Sequence, residues 1–311
     1  MSRKRIVNIV FVLAAVGVSV FVILHLIERG WPLHHANFWL VGLATVLLLL
    51  AYSAKAWGWR HLFLHGHRPA TLTLAAAGGA ASVAGIALPG RCDEVVRFAV
   101  VRRCRRPRAS FGAVALSIFL LGLLDAVALA PFASVAAGVS NVGWWIRAGL
   151  IVVAVAGIAA AAVVLNLGRL ARYPRLARFR IAGWVGEHAA SRRDAGWAWV
   201  GVAASWALRA LAVFVLLAAL GLGTDFAMAL GFLCASSVSA ALPIAPAGAA
   251  TQAGAGAAML IASGMHSTQA IAFGIASQGL GILTGAVFVV GLGAWHAHGR
   301  LPQLARRFAH A

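Results

Sequence analysis

The chain has 311 residues, of which 62% are hydrophobic and only 11% are charged. This composition excludes a water-soluble globular protein, because there are too few polar side chains to cover its surface. The net charge of +19 does not by itself indicate a nucleic-acid partner, since the basic residues gather between apolar runs, as in the cytoplasmic loops of membrane proteins.

Apolar stretches long enough to cross a bilayer recur along the chain. A bilayer core about 30 Å thick needs about 20 apolar residues of helix. Six stretches meet this length, at residues 6–27, 38–57, 112–137, 144–165, 197–222 and 271–295. The first follows three basic residues and has no convincing signal-peptide cleavage site, so we expect it to be retained as a span.

Tryptophans stand at the ends of several of these stretches, where aromatic side chains favour the membrane interface. They are Trp144, Trp145, Trp197, Trp199 and Trp295.

Two shorter apolar stretches, at residues 72–88 and 226–242, end at proline. The first stops at Pro89 and Gly90, and the second at Pro243, with Pro246 and Gly248 close behind. Such breaks predict two re-entrant helices that return to the side they entered. This topology puts the strongly basic segments and both termini in the cytoplasm.

We therefore predict an all-α polytopic membrane protein with one domain over residues 1–311. It has six full spans, two broken helices and a basic cytoplasmic tail at residues 299–311. The preference for Arg over Lys and the abundant Ala are typical of a GC-rich bacterial genome, which indicates a bacterial cytoplasmic membrane.

The segment after Pro89 carries the charges of an anion site. If a helix restarts there, its N-terminal amides and Arg91 attract a negative group such as a lipid headgroup. Glu94 and Arg97 share a helical face and are expected to pair. The alternative is an amphipathic helix lying on acidic lipid.

Five arginines follow in the same loop and are the only feature that favours nucleic acid. They are Arg102, Arg103, Arg105, Arg106 and Arg108. We expect no nucleic-acid partner.

Three ionisable residues fall inside predicted spans: Lys55, Asp125 and Arg209. Charges in a bilayer are costly and often mark a transport pathway. Alternatively, Lys55 reaches the interface, and Arg209 pairs structurally with a carbonyl or with Asp125. Asp125 is expected to act as a counter-ion, a proton acceptor or a neutral hydrogen-bonding acid.

The two halves of the chain resemble each other. A run of small residues ending in Ala-Leu-Pro occurs at residues 81–89 and again at 236–243, so that Pro89 and Pro243 are 154 positions apart. The same offset carries Lys55 onto Arg209. In the predicted topology the first half starts on the cytoplasmic side of the membrane and the second half on the opposite side. Residues 1–140 and 141–298 are therefore predicted to form an inverted repeat, as in many alternating-access carriers. The alternative is chance similarity between Ala/Gly/Leu-rich segments.

Other reactive side chains do not form a convincing site. His61, His65 and His67 have a spacing compatible with metal, with Cys92 and Cys104 as conceivable partners, but no further ligand pair completes a pattern. We expect no metal, no cofactor and no disulfide framework. Gly281 and Gly285 are spaced for close helix packing in the last span.

Two motifs give the chain a family resemblance. Residues 88–97 and 242–248 resemble the flippase-like transmembrane region of lysylphosphatidylglycerol synthases and their stand-alone relatives. The matching positions are Pro89, Arg91, Glu94 and Arg97 in the first motif and Pro243, Pro246 and Gly248 in the second.

The departures from the family pattern are also specific. Asp93 replaces a Gly in the first motif, Ala247 replaces a Gly in the second, and Gln252 stands near an expected acid. Asp125 falls where the family tends to carry an Asp, without the Arg that usually precedes it.

The resemblance implies lipid movement. The expected cargo is an anionic phospholipid, a hopanoid or an isoprenoid-linked lipid, and the absence of a soluble aminoacyl-transfer domain predicts that the chain does not synthesise such lipids. One alternative is a non-catalytic membrane partner of an envelope-lipid biosynthesis enzyme. Another is a membrane-embedded transferase or hydrolase, for which Asp93 and Glu94 are the only acid cluster.

Overall fold

The computed structural model describes residues 36–87, 92–103, 110–139, 143–171, 191–241 and 248–298. Their secondary structure consists of nine α-helices and a short 3-10 turn at His65–His67. The helices are α1 Phe38–Arg60, α2 Thr71–Ala87, α3 Cys92–Arg103, α4 Phe111–Val139, α5 Trp144–Ala171, α6 Arg192–Ala219, α7 Phe226–Ala241, α8 Gly248–Ala262 and α9 Ser267–His298. The predicted all-α polytopic membrane fold is confirmed.

Five of these helices, α1, α4, α5, α6 and α9, are long and apolar enough to cross a membrane. The predicted span at residues 6–27 lies outside the described residues. Large apolar side chains point away from the protein, including Ile158 at 66% and Leu165 at 69% exposure on α5. Such an outward apolar face is stable in lipid and unfavourable in water.

The ends of the helices are set by their caps. Asn37 Oδ1 accepts the backbone N–H groups of Trp39 and Leu40 at the start of α1, at 3.1 and 3.4 Å. Ser191 Oγ accepts the N–H of Asp194 at 3.1 Å in the first turn of α6. Both satisfy amides that a helix N-terminus leaves unpaired.

The predicted end of α6 at residue 222 was three residues too late. Gly221 has φ of 68°, and the Leu222 N–H donates back to the Leu217 carbonyl at 3.0 Å. This is a Schellman stop, which needs a left-handed residue that glycine adopts without strain. A second one ends α8, with Gly264 at φ 97° and Met265 N–H donating to Leu260.

Helices α1 and α6 lie antiparallel along their whole length. At one end the Asn37 N–H donates to the Ala219 carbonyl at 2.9 Å. At the other end Gly58 and Gly201 meet so closely that a Cβ on Gly58 would lie 2.7 Å from the Ala198 carbonyl oxygen. Small residues at this crossing let the two backbones touch, which is how helices gain packing energy inside a membrane.

A second glycine contact joins α2 to α9. A Cβ on Gly79 would collide with the backbone of Gly285, and a Cβ on Gly285 would lie 3.0 Å from the Gly79 Cα. The prediction that Gly285 serves close packing agrees with this contact. Gly281, one turn earlier, has open space beside it instead.

The two short apolar stretches are helices of 17 and 16 residues, α2 and α7. Each packs against the helix that follows it, α2 against α3 and α7 against α8. The prolines of the predicted breaks, Pro89, Pro243 and Pro246, lie outside the described residues. Helix α8 was not predicted, because its Gly/Ala-rich residues carry neither a long apolar run nor charges.

Candidate functional site

The membrane helices enclose a cavity of about 630 Å³ that opens to the outside of the protein. All nine described helices contribute residues to its walls. The walls carry many polar groups for the interior of a membrane protein. The polar lining includes Tyr52, Lys55, Ser82, Asp93, Arg97, Asp125, Arg209, Ser236, Thr251, Gln252 and Gln278. The sequence-predicted residues Lys55, Arg97, Asp125 and Arg209 therefore share one cavity.

The best-defined contact in the cavity is the ion pair between α1 and α4. Lys55 Nζ donates to Asp125 Oδ2 at 2.7 Å, with the two side chains 18% and 22% exposed. Lys55 thus does not need to reach the interface, because its counter-ion lies inside the protein. Asp125 is the counter-ion of Lys55 and not of Arg209, which answers one of the alternatives left by the sequence.

The other carboxylate oxygen of Asp125 is also occupied. The indole N–H of Trp206, on α6, donates to Asp125 Oδ1 at 3.0 Å. Trp206 is only 6% exposed. Asp125 therefore joins three helices, and both its oxygens accept hydrogen bonds from protein donors.

Arg209 lies far from both ends of α6. At 1.5 Å per residue it is about 25 Å from Arg192 and about 15 Å from Ala219. Its guanidinium carbon is 5.3 Å from the centre of the Tyr52 ring and 5.6 Å from that of Trp206. The aromatic faces stabilise the cation, yet the buried Nε has no hydrogen-bond partner. The alternative in which Arg209 pairs with Asp125 is not formed, since Asp125 accepts from Lys55 and Trp206 instead.

Tyr52 links α1 to the two helices that meet at the glycine contact. Its hydroxyl shares a hydrogen bond of 2.6 Å with Ser82 Oγ on α2 and donates to the Gly281 carbonyl on α9 at 3.4 Å. Since its ring also supports Arg209, Tyr52 fixes the position of that cation relative to α2 and α9.

The start of α3 brings further charges to the cavity. Arg97 approaches Asp93, one helical turn earlier, with Nη2 at 3.6 Å from Oδ2. Glu94 was the expected partner of Arg97, but the pair in the structure is formed by Asp93, which lies four residues before Arg97 on the same helical face. Arg91, Pro89 and Gly90 lie outside the described residues, whereas Gly248 opens α8.

Amides and hydroxyls from α7, α8 and α9 form the opposite wall. Gln278 donates to Gln252 Oε1 at 3.5 Å, and Ser236 Oγ donates to the Gln252 carbonyl at 2.9 Å. Gln252 therefore lines the cavity near the position where the resemblance led us to expect an acid. Its neutral amide leaves this wall without the negative charge that a carboxylate would supply.

Sequence reasoning missed Tyr52, Trp206 and Gln278. One signal was present, since Tyr52 and Trp206 are 154 positions apart, the offset that relates Lys55 to Arg209. Aromatic residues in spans are too common for this spacing alone to have marked a site.

A smaller cavity of about 370 Å³ lies at the Arg60 end of α1. Arg68 Nη2 donates to Asp194 Oδ1 at 2.6 Å, and His65 Nδ1 is 3.7 Å from Asp194 Oδ2. His61 Nδ1 instead lies 2.9 Å from the Trp57 carbonyl oxygen. In the part of the chain that the structure describes, no three His, Cys, Asp or Glu side chains are grouped to hold a metal ion.

Comparison with known proteins relates this cavity to a family of membrane proteins. No curated protein and no solved structure matches the chain significantly. The family model described as the lysylphosphatidylglycerol synthase TM region matches residues 5–291, which include every described helix up to the last turns of α9. The match covers nearly the whole chain, and the chain therefore belongs to the lysylphosphatidylglycerol synthase TM region family.

Proposed function

We propose that the protein is a flippase-like lipid carrier of the bacterial cytoplasmic membrane, which moves lipids with an anionic or lipid-linked headgroup across the bilayer. Family membership supports a role with membrane lipids. The carrier itself contributes no covalent chemistry in this proposal, and its cargo is a phospholipid, a hopanoid or an isoprenoid-linked lipid.

The observation that carries the proposal is the polar cavity among the membrane helices. Its volume of about 630 Å³ lies within the range of sites that hold small molecules. Ionised side chains inside a membrane protein cost free energy unless they are paired or solvated, and they are therefore rare outside functional pathways. A lipid headgroup in this cavity would exchange its hydration water for contacts with Lys55, Asp125 and Arg209. The lipid tails would stay outside the cavity.

An inverted repeat is the second part of the proposal. Helices α6, α7, α8 and α9 begin 154, 155, 156 and 156 residues after α1, α2, α3 and α4. Contacts follow the same correspondence, because α2 packs on α9 as α7 packs on α4, and α1 packs on α9 as α6 packs on α4. Repeats of this kind allow one half to rock against the other around a central site. The division near residue 140 stays a prediction.

The proposed re-entrant elements are the pairs α2–α3 and α7–α8. Helices of 17 and 16 residues are shorter than the roughly 20 residues that cross a bilayer, and each packs on its successor. In the proposed mechanism Arg91, Arg97 and Arg209 attract the headgroup. Glu94 and Asp125 neutralise or gate these cations as the two halves move.

The proposal is tested by lipid movement in proteoliposomes that contain the purified full-length protein and a fluorescent phospholipid. We expect the wild type to move the lipid between leaflets and the Arg91→Gln/Arg209→Gln double variant to lose most of this movement. A matched control is Arg60→Gln/Arg193→Gln, which removes the same charge from exposed side chains.

The outcomes separate the alternatives. Movement in the wild type and the control, with loss in the Arg91→Gln/Arg209→Gln variant, supports the carrier. Wild-type liposomes that move no more lipid than protein-free liposomes contradict it. Co-purification of a stoichiometric envelope-lipid enzyme would then favour the non-catalytic partner, and lipid turnover by the purified protein would favour an enzyme.

A further inference from the structure

Two hydrogen bonds in the cavity are equivalent under the proposed repeat. Trp206 on α6 donates to the Asp125 carboxylate on α4 at 3.0 Å, and Tyr52 on α1 donates to the Gly281 backbone carbonyl on α9 at 3.4 Å, so the bonds join equivalent positions through different acceptor groups. Tyr52 and Trp206 are 154 residues apart, and positions 125 and 281 are 156 apart, which are the offsets between the starts of their own helices. The contacts and the helix starts thus give the same correspondence independently.

The charges do not follow this symmetry. Lys55 has its acid, Asp125, at 2.7 Å. Arg209 is the counterpart of Lys55, and the position that corresponds to Asp125 is occupied by Gly281, which has no side chain. Arg209 accordingly forms no ion pair with any described acid, and its buried Nε has no acceptor. Lys55 is thus neutralised in one half of the cavity, and Arg209 in the other half carries a positive charge without a counter-ion among the described residues.

Space is available where the acid is absent. Gly281 lines the cavity, and a Cβ built on it would meet no atom within 4 Å. Gly79 and Gly285 differ from Gly281, because a side chain on either of them would block the contact between their backbones. Packing therefore does not require a glycine at position 281.

We propose that Arg209 is the phosphate-binding residue of the cavity, and that the phosphate of a lipid headgroup occupies the place of the acid missing at Gly281. This assignment rests on the proposed lipid carriage and names its substrate class, a lipid bearing a phosphate mono- or diester. A guanidinium suits this role because its N–H groups match phosphate oxygens, and the Tyr52 and Trp206 rings hold it from two sides.

The same geometry explains why the acid is absent. A carboxylate at position 281 would neutralise Arg209 permanently, as Asp125 neutralises Lys55, and would compete with the phosphate. With glycine there, the substrate itself supplies the counter-charge, so the cation is paired only while cargo is bound. The cost of the unpaired charge in the empty carrier then favours loading.

The test uses purified full-length protein in an uncharged detergent and measures binding by thermal stabilisation. The probes are dioctanoylphosphatidylglycerol, phosphate-free dioctanoylglycerol, and inorganic phosphate. We expect the wild type to prefer the phospholipid to dioctanoylglycerol by about tenfold in Kd, which corresponds to the 1.4 kcal/mol of one charge-assisted hydrogen bond. Inorganic phosphate should bind more weakly than the phospholipid because it lacks the tails.

Three variants isolate the charge. Arg209→Gln and Gly281→Asp should both lose the preference for phospholipid, whereas Gly281→Ala, whose Cβ would meet no atom within 4 Å and leaves the place of the acid open, should keep it. Gly281→Asp should also raise the melting temperature without lipid, because it gives Arg209 a partner. That rise shows that the variant is folded, so its loss of binding is not a loss of structure.

The outcomes for this assignment differ from those for the carrier. If Arg209→Gln keeps the phospholipid preference, or if Gly281→Asp and Gly281→Ala behave alike, Arg209 is not the phosphate site even when lipid movement is observed. Equal binding of inorganic phosphate and phospholipid would assign the site to a free anion. If the wild type moves no lipid but the binding pattern holds, the carrier proposal fails and the phosphate site stands.

Discussion

Lys55 on α1 and Asp125 on α4 form a 2.7 Å ion pair between helices that share few other contacts. Removing one partner would leave the other charged and largely buried. We expect Asp125→Asn to lower the free energy of unfolding by about 1–3 kcal/mol, the usual cost of an unsatisfied buried polar group. The thermal unfolding midpoint in detergent, followed by circular dichroism, measures this change.

The control for that experiment removes both charges. Lys55→Met/Asp125→Leu should be more stable than Asp125→Asn alone, because replacing a whole buried pair by apolar groups avoids the desolvation cost. If the destabilisation of the double variant equals the sum of the destabilisations of the two single variants, Lys55 and Asp125 are not energetically coupled. That result would contradict the interaction that their distance indicates.

Trp206→Phe should weaken the site while preserving its shape. The ring remains beside Arg209, but the indole N–H that donates to Asp125 at 3.0 Å is lost. Hydrogen bonds to charged groups contribute about 1.5–3 kcal/mol, so we expect a clear loss of stability and slower lipid movement.

Trp59→Phe is the matched control for this substitution. Trp59 also lines the cavity and donates from its indole, but to the neutral Ser117 hydroxyl at 3.1 Å. Its loss should cost about 0.5–1.5 kcal/mol and leave lipid movement near the wild-type rate. Equal effects of the two substitutions on movement would argue against a special role for the Asp125 contact.

The spans could be predicted from sequence because lipid imposes a simple length and polarity rule on helices. All five long helices overlap their predicted stretches, and the errors lie at the ends, where capping decides. The end of α6 shows this, since Gly221 stops the helix although Leu222 continues the apolar run. Helix α8 was missed because its small residues lack any strong pattern.

The charged members of the site were predictable, because Lys55, Asp125 and Arg209 are conspicuous in apolar segments. Their pairing was not, since it depends on how α1, α4 and α6 pack. Tyr52 and Trp206 act through hydrogen bonds and ring faces that only the three-dimensional arrangement brings to Asp125 and Arg209.

The α1–α6 crossing should not tolerate a methyl group. A Cβ on Gly201 would lie 2.6 Å from the Gly58 Cα and 2.8 Å from the Ala54 carbonyl oxygen, both parts of a helix backbone. We expect Gly201→Ala to destabilise the protein by about 1–3 kcal/mol, as overpacking usually does. Gly196→Ala on the same helix, with nothing within 4 Å, is the control and should unfold at the wild-type temperature or above. Unfolding of both variants at one temperature would show that this contact is not required.

Arg68 should hold the loop after α1 to the start of α6. Its guanidinium donates to Asp194 at 2.6 Å, and the two side chains are 15% and 12% exposed. Arg68→Gln should therefore cost about 1.5–3 kcal/mol and speed proteolysis of the loop. Arg193→Gln removes the same charge from an exposed neighbour and should change neither readout. A loop that is cleaved at the same rate in both variants would contradict this role.

The predicted orientation puts the loop at residues 61–70 in the cytoplasm and the loop at residues 220–225 on the other side. The two loops lie at opposite ends of the antiparallel pair α1 and α6, as the Asn37–Ala219 hydrogen bond and the Gly58–Gly201 contact require. In a background without the native cysteines, a membrane-impermeant thiol reagent added to intact cells should label Thr224→Cys and not Gly66→Cys. Labelling of both after permeabilisation is the control for accessibility. The reverse pattern would place the basic loops outside, against the distribution of positive charge that membrane proteins follow.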